Sequence, residues 1–219
     1  MTTPDILFFL LLLIALISCS IAGRAFSGRI ILIYLILILV TSIASIYVLV
    51  VAKLNNNLFI FHLFTPIQYL LLSLLYSHEI ASNRIKRIIN YSIPLFIVLS
   101  ILFSLFVQKL TDNNSVITII ESIGLITWPL LFLKQTLELQ KVNSLLGFPM
   151  FWISVGILFY FVGTLITQGM LDYLIKHDME IAQKVFLFTY IFKYLLFIML
   201  SIGAWSRVLF TRRLKQTYP

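Results

Sequence analysis

Three ionisable side chains stand inside long apolar runs of this chain. Lys193 interrupts FLFTYIFKYLLFIML (186–200), Glu121 interrupts SVITIIESIGLITW (115–128), and His62 lies in LFIFHLFTP (58–66). A charge at the centre of a membrane-spanning helix costs roughly 2.5–3.5 kcal/mol on insertion scales. Such residues face a bundle interior or a cavity, and they mark ligand sites, ion paths or proton relays. An acid, a base and an imidazole give this chain the groups for recognising a polar ligand or coupling to an ion. The first expectation is a pair between Glu121 and Lys193, formed directly or through water or Tyr190. Two structural readings stand beside it: an ion pair that only sets helix register, and a lysine that snorkels toward the interface.

Polar residues at helical spacing extend the candidate set. The run around His62 carries Thr65, Pro66, Tyr69, Ser73 and Tyr76 on one face, with Gln68 just off it. Glu121 is followed by Gly124, Trp128 and Pro129, and Tyr190 precedes Lys193 by one turn. Another run carries Trp152, Gly156, Tyr160, Gly163 and Thr167, whose two glycines predict close approach of a neighbouring helix. A milder stripe is Tyr34, Thr41 and Ser45. The predicted ligand-binding residues are Glu121, Lys193, His62, Gln68, Tyr69, Trp128 and Tyr190. At 1.5 Å per residue, His62 lies ~6 Å, Glu121 ~9 Å and Lys193 ~12 Å below the same end of their spans, with Gln68 and Tyr69 ~15–16 Å down. Three helices thus place an acid, a base and an imidazole in one layer.

No nucleophile–base or metal constellation converges, so no catalytic residue, metal or cofactor is expected and the chain does not read as an enzyme. His78 and His177 fall on opposite sides of the predicted membrane and cannot share a metal with His62.

The elements that hold these residues follow from composition. The 219 residues are 61% hydrophobic and 11% charged, with mean hydropathy +1.05. Soluble domains carry about 25% charged residues, so water is not the main solvent. Seven runs have the length of about 20 residues that a bilayer requires: about 5–22, 30–52, 58–77, 88–108, 115–137, 149–170 and 185–206. They do not alternate as barrel strands would. The predicted fold is an all-α seven-helix transmembrane bundle forming one domain over 1–219, with the lipid bilayer as its principal partner. The first run is almost wholly apolar until Ser18 and is expected to be peripheral and lipid-facing.

Lys and Arg collect in the cytoplasmic loops of membrane proteins. With the N-terminus outside, eleven fall inside: Arg24, Arg29, Arg84, Lys86, Arg87, Lys134, Lys141, Arg207, Arg212, Arg213 and Lys215. Lys53, Lys109, Lys176 and Lys184 fall outside. This asymmetry accounts for most of the net charge of +8 and removes the need for a nucleic-acid partner. It predicts an outside N-terminus and a cytoplasmic C-terminus. Leu16-Ile17-Ser18-Cys19 matches a lipobox, but MTTPD lacks a basic n-region. The first run therefore reads as a retained span, with Cys19 a small buried residue.

A lysine in the seventh span invites comparison with microbial rhodopsins. Here, however, the third span has no carboxylate, and Thr189 stands where that family has an acid. NNNLFIFHLFTPIQYLLLSLLY (55–76) and PMFWISVGILFYFVGTL (149–165) resemble small seven-helix proteins of Bacteroidota. The resemblance implies a bacterial inner membrane and no particular activity. Three function classes remain. The first is a receptor- or sensor-like protein that binds a small ligand from outside and acts through a separate membrane or cytoplasmic signalling partner. The others are a small-solute or ion-coupled transporter, and an accessory subunit without a ligand.

Overall fold

The computed structural model describes residues 3–22, 26–54, 56–138 and 145–217, without the side chains of 26, 172, 176, 207 and 209–217. Arg24, Asn55 and Lys141 lie outside the described residues, as do the side chains of Lys176, Arg207, Arg212, Arg213 and Lys215. Seven helices account for nearly all of the rest: α1 (Thr3–Ala22), α2 (Phe26–Val50), α3 (Leu58–Glu79), α4 (Asn83–Phe106), α5 (Ser115–Glu138), α6 (Pro149–His177) and α7 (Met179–Thr217). All seven contain a segment long and apolar enough to cross a membrane. With no water to satisfy the backbone, a helix that bonds its own N–H and C=O groups is what such a sequence must form. The architecture is that of a multi-pass membrane protein.

Helix ends depart from the predicted spans mainly at α6 and α7. The hydropathy pattern stops at 170 and restarts at 185, yet the two helices run to His177 and from Met179. Only Asp178 separates them. Its carboxylate accepts from the amides of Glu180 (3.1 Å) and Ile181 (3.0 Å), capping α7. Hydropathy marks where lipid ends, whereas the cap marks where the helix ends.

Contacts between neighbours run α1–α2–α3–α5–α6–α7 and back to α1, closing a ring of six helices. The remaining helix, α4, lies outside the ring against α3, with a lighter contact to α5. This corrects the expected place of α1. Its Ile6, Leu10, Leu13 and Ile17 are exposed, as a lipid-facing helix requires, but Phe8, Leu12, Ala15 and Cys19 are buried against the bundle. It is a wall of the ring, and α4 is the helix on the periphery.

One half of the ring is filled. Leu72, Leu75 and Tyr76 of α3, Leu125 of α5, Ile157 of α6 and Leu200 of α7 are wholly buried there, and the Tyr76 hydroxyl donates to Ser154 Oγ at 3.2 Å. The opposite half, toward the first residues of α1, α3, α5 and α7, is hollow. Polar loops brace that end: Asn56 Nδ2 donates to Thr111 O (2.6 Å), Asn57 to Ser45, and Asn113 to Gln168 Oε1 (3.1 Å).

Candidate functional site

The hollow half holds a cavity of about 510 Å³, whose wall is built from all six ring helices and from Asn113 and Asn114 of the α4–α5 loop. Specific small-molecule sites are concave, mostly apolar, and about 300–1,000 Å³ in volume. Aromatic rings share this wall with Ser, Thr, Asn and Gln side chains, among the rings Phe8, Tyr34, Phe64, Tyr160, Phe161 and Phe197. Its ionisable carboxyl and amino groups are Asp5, Glu121 and Lys193.

Four of the seven predicted residues meet here: Glu121, Lys193, Gln68 and Tyr190. Glu121 is buried on α5, within electrostatic reach of the Tyr34 and Tyr160 hydroxyls. Gln68, buried on α3, donates from Nε2 to the Tyr34 hydroxyl at 3.4 Å. Tyr190 Oη donates to Asp5 Oδ1 at 2.8 Å. Lys193 Nζ lies 5.6 Å from the centroid of the Phe8 ring and 5.2 Å from that of Tyr190. Both distances are within the range of a cation–π contact, and Asp5 is its electrostatic partner.

Glu121 and Lys193 form no direct ion pair, and the Tyr190 hydroxyl goes to Asp5 instead. The ion pairs among the described residues are His78–Glu79, Lys134–Glu138 and Lys184–Glu180. The ring order explains the miss, because α6 stands between α5 and α7 while α1 lies directly beside α7. Lys193 is therefore served by Asp5 and Phe8 of the adjacent helix. The charge in the opening segment lies against two rings with the Asp5 carboxylate within electrostatic reach, on the side of α7 that meets α1.

The other three predicted residues lie outside the cavity wall. His62 bridges α3 to α4 and the following loop, its Nδ1 2.8 Å from Ser104 Oγ and its Nε2 3.2 Å from Asp112 O. The Tyr69 hydroxyl donates to Ser92 Oγ of α4 (2.9 Å), and its ring stacks on Phe96 at 4.2 Å. Trp128 is buried on α5 away from the wall. The predicted layer of acid, base and imidazole thus loses its imidazole. Helix α3 touches α2, α4 and α5, so its polar stripe is divided. Thr65 and Gln68 face the cavity, whereas His62 and Tyr69, two turns apart, serve α4. Replacing His62 with alanine should lower thermal stability in nanodiscs by about 0.5–1.5 kcal/mol, since it removes the hydrogen bonds of a buried imidazole to the half-buried Ser104 and to the carbonyl of exposed Asp112. It should leave the binding of any cavity ligand unchanged, and a melt paired with a binding isotherm checks both.

Sequence reasoning missed Asp5 and Asn114. Asp5 begins the buried face Asp5, Phe8, Leu12, Ala15, Cys19, whose steps of 3 and 4 were a legible signal. Asn114 reads as loop polarity in TDNNS but is buried and lines the cavity, donating from Nδ2 to Thr65 Oγ1 at 3.2 Å. Among the described residues, two buried polar atoms of wall residues lack a hydrogen-bond partner: Glu121 Oε1 and Asn114 Oδ1.

Comparison with protein-family models, with curated proteins and with solved structures gave no match, so the functional reading rests on the chain's own geometry.

Proposed function

We propose that this chain is a receptor- or sensor-like protein of a bacterial inner membrane. In this reading its N-terminus is outside, it binds a small molecule in the outer-half cavity, and it acts through a separate partner protein. The observation that carries the reading is a cavity built into one half of the ring over a floor of wholly buried side chains. A carrier needs polar groups along a path to both faces, and the floor supplies mainly Leu, Ile and Tyr76. The orientation rests on the eleven-to-four split of basic residues between the two faces. It places the cavity outside.

The test is a small-molecule screen on the protein in nanodiscs, followed by flux measurements in proteoliposomes. Saturable thermal stabilisation, abolished when Thr164→Phe fills the cavity, together with no flux of the bound compound, is the expected result. Flux of that compound would instead make the chain a transporter. No saturable binder would leave an accessory subunit.

A further inference from the structure

The wall of the cavity is unbalanced in charge and in hydrogen bonding, and both imbalances have the same sense. It carries two carboxyl groups, Asp5 and Glu121, and one ammonium group, Lys193. Asp5 and Lys193 lie within electrostatic reach of each other. Glu121 stands apart on α5, 2% exposed, with Oε1 unpartnered among the described residues. The second unpartnered atom of the wall, Asn114 Oδ1, is also an acceptor, on a side chain 5% exposed. An acceptor left without a donor in a buried site is costly, and a buried carboxylate needs a counter-charge as well as hydrogen bonds. Aromatic rings share the wall with them, and ring faces attract cations.

We infer that the ligand of this cavity is a small organic amine whose ammonium N–H groups are received by Glu121 and whose apolar body lies against the rings of the wall. This deepens the cavity reading above and rests on it. The hydrogen-bonding demand separates a primary ammonium from a quaternary one, which has the charge but no N–H to give. An anionic ligand would bring a second acidic group beside Glu121, and a neutral alcohol would bring no counter-charge for it. Tyr34 and Tyr160, whose hydroxyls lie within electrostatic reach of Glu121, complete an amphipathic surround for such a head group.

Four probes with a common phenyl body and different head groups test this on the unaltered chain in nanodiscs by isothermal calorimetry: 2-phenylethylamine, its N,N,N-trimethyl analogue, 2-phenylethanol and 3-phenylpropanoate. The amine should bind saturably and most tightly, and Thr164→Phe should abolish its binding. Loss of one charge-assisted hydrogen bond corresponds to roughly a 10- to 100-fold change in affinity. The trimethyl analogue and Glu121→Gln with the amine should each show a loss of that size. Equal binding of alcohol and amine, both blocked by Thr164→Phe, would overturn the amine inference while leaving the cavity reading intact. Tighter binding of the carboxylate probe would do the same. No saturable binding by any probe, alongside a Thr164→Phe protein that behaves as the unaltered chain, would overturn both. The comparison of probes on the unaltered chain decides the inference even where Glu121→Gln fails to fold.

Discussion

Replacing Gly156 and Gly163 together with alanine should lower the stability of the bundle by about 2–5 kcal/mol, read from a thermal or SDS-unfolding midpoint in micelles. Both glycines lie on α6 where it meets α7. A Cβ added at Gly156 would stand 2.8 Å from the Cβ of Met199, an atom fixed to the α7 backbone, so no rotamer change relieves it. At Gly163 it would stand 2.3 Å from the ring of Phe192. Membrane helices gain their association energy from close packing, since lipid is as apolar as the side chains it displaces. Pushing α6 from α7 therefore forfeits contacts that lipid does not restore. Tyr160 and Lys193 would also shift apart, so binding in the cavity should weaken with stability. Gly169 is the internal control. Its added Cβ meets nothing within 4 Å, and alanine is the better helix former by about 1 kcal/mol, so Gly169→Ala should be neutral or mildly stabilising. A double variant that melts with the unaltered protein would refute the close α6–α7 contact.

Helix number and type were legible because every backbone group in a bilayer must be satisfied within its own segment, which leaves an apolar run of span length one conformation. The close approach at Gly156 and Gly163 was legible too, because small residues seven apart have few other uses on a buried helix face. What a stripe does not encode is which neighbour it meets. His62, Tyr69 and Gln68 belong to one polar face of α3, yet α4 claims two of them and the cavity the third, and only the arrangement of helices decides this. Depth along a helix was recoverable from the 1.5 Å rise. Azimuth around the ring was not, and that is why Glu121 and Lys193 share a layer and a cavity without sharing a contact. Asp5 was passed over for a related reason: it lies at the start of the most apolar helix, where average hydropathy hides a buried face.

The same ring order yields the sharpest test of the electrostatics. Lys193→Glu should cost about 3–5 kcal/mol, because it replaces a cation beside Asp5 with a like charge and leaves the phenyl faces of Phe8 and Tyr190 against a carboxylate. If Asp5 is the partner, Asp5→Lys in the Lys193→Glu background re-creates the opposite-charge pair in reversed order and should restore at least half of the loss. Glu121→Gln in that background should restore less than about 0.5 kcal/mol, as expected for residues that share no contact. The Tyr190 hydroxyl complicates the swap, because it donates to Asp5 Oδ1 at 2.8 Å and loses that acceptor when lysine replaces it. Asp5→Asn, which keeps an acceptor oxygen and removes only the charge, isolates that contribution. Unfolding midpoints for the single and double variants in one detergent supply every term. Rescue by Glu121→Gln equal to that by Asp5→Lys would mean that the lysine senses the carboxylate across the ring. Glu121 would then have its counter-charge in Lys193, and the electrostatic argument for an ammonium ligand at Glu121 would fall with it.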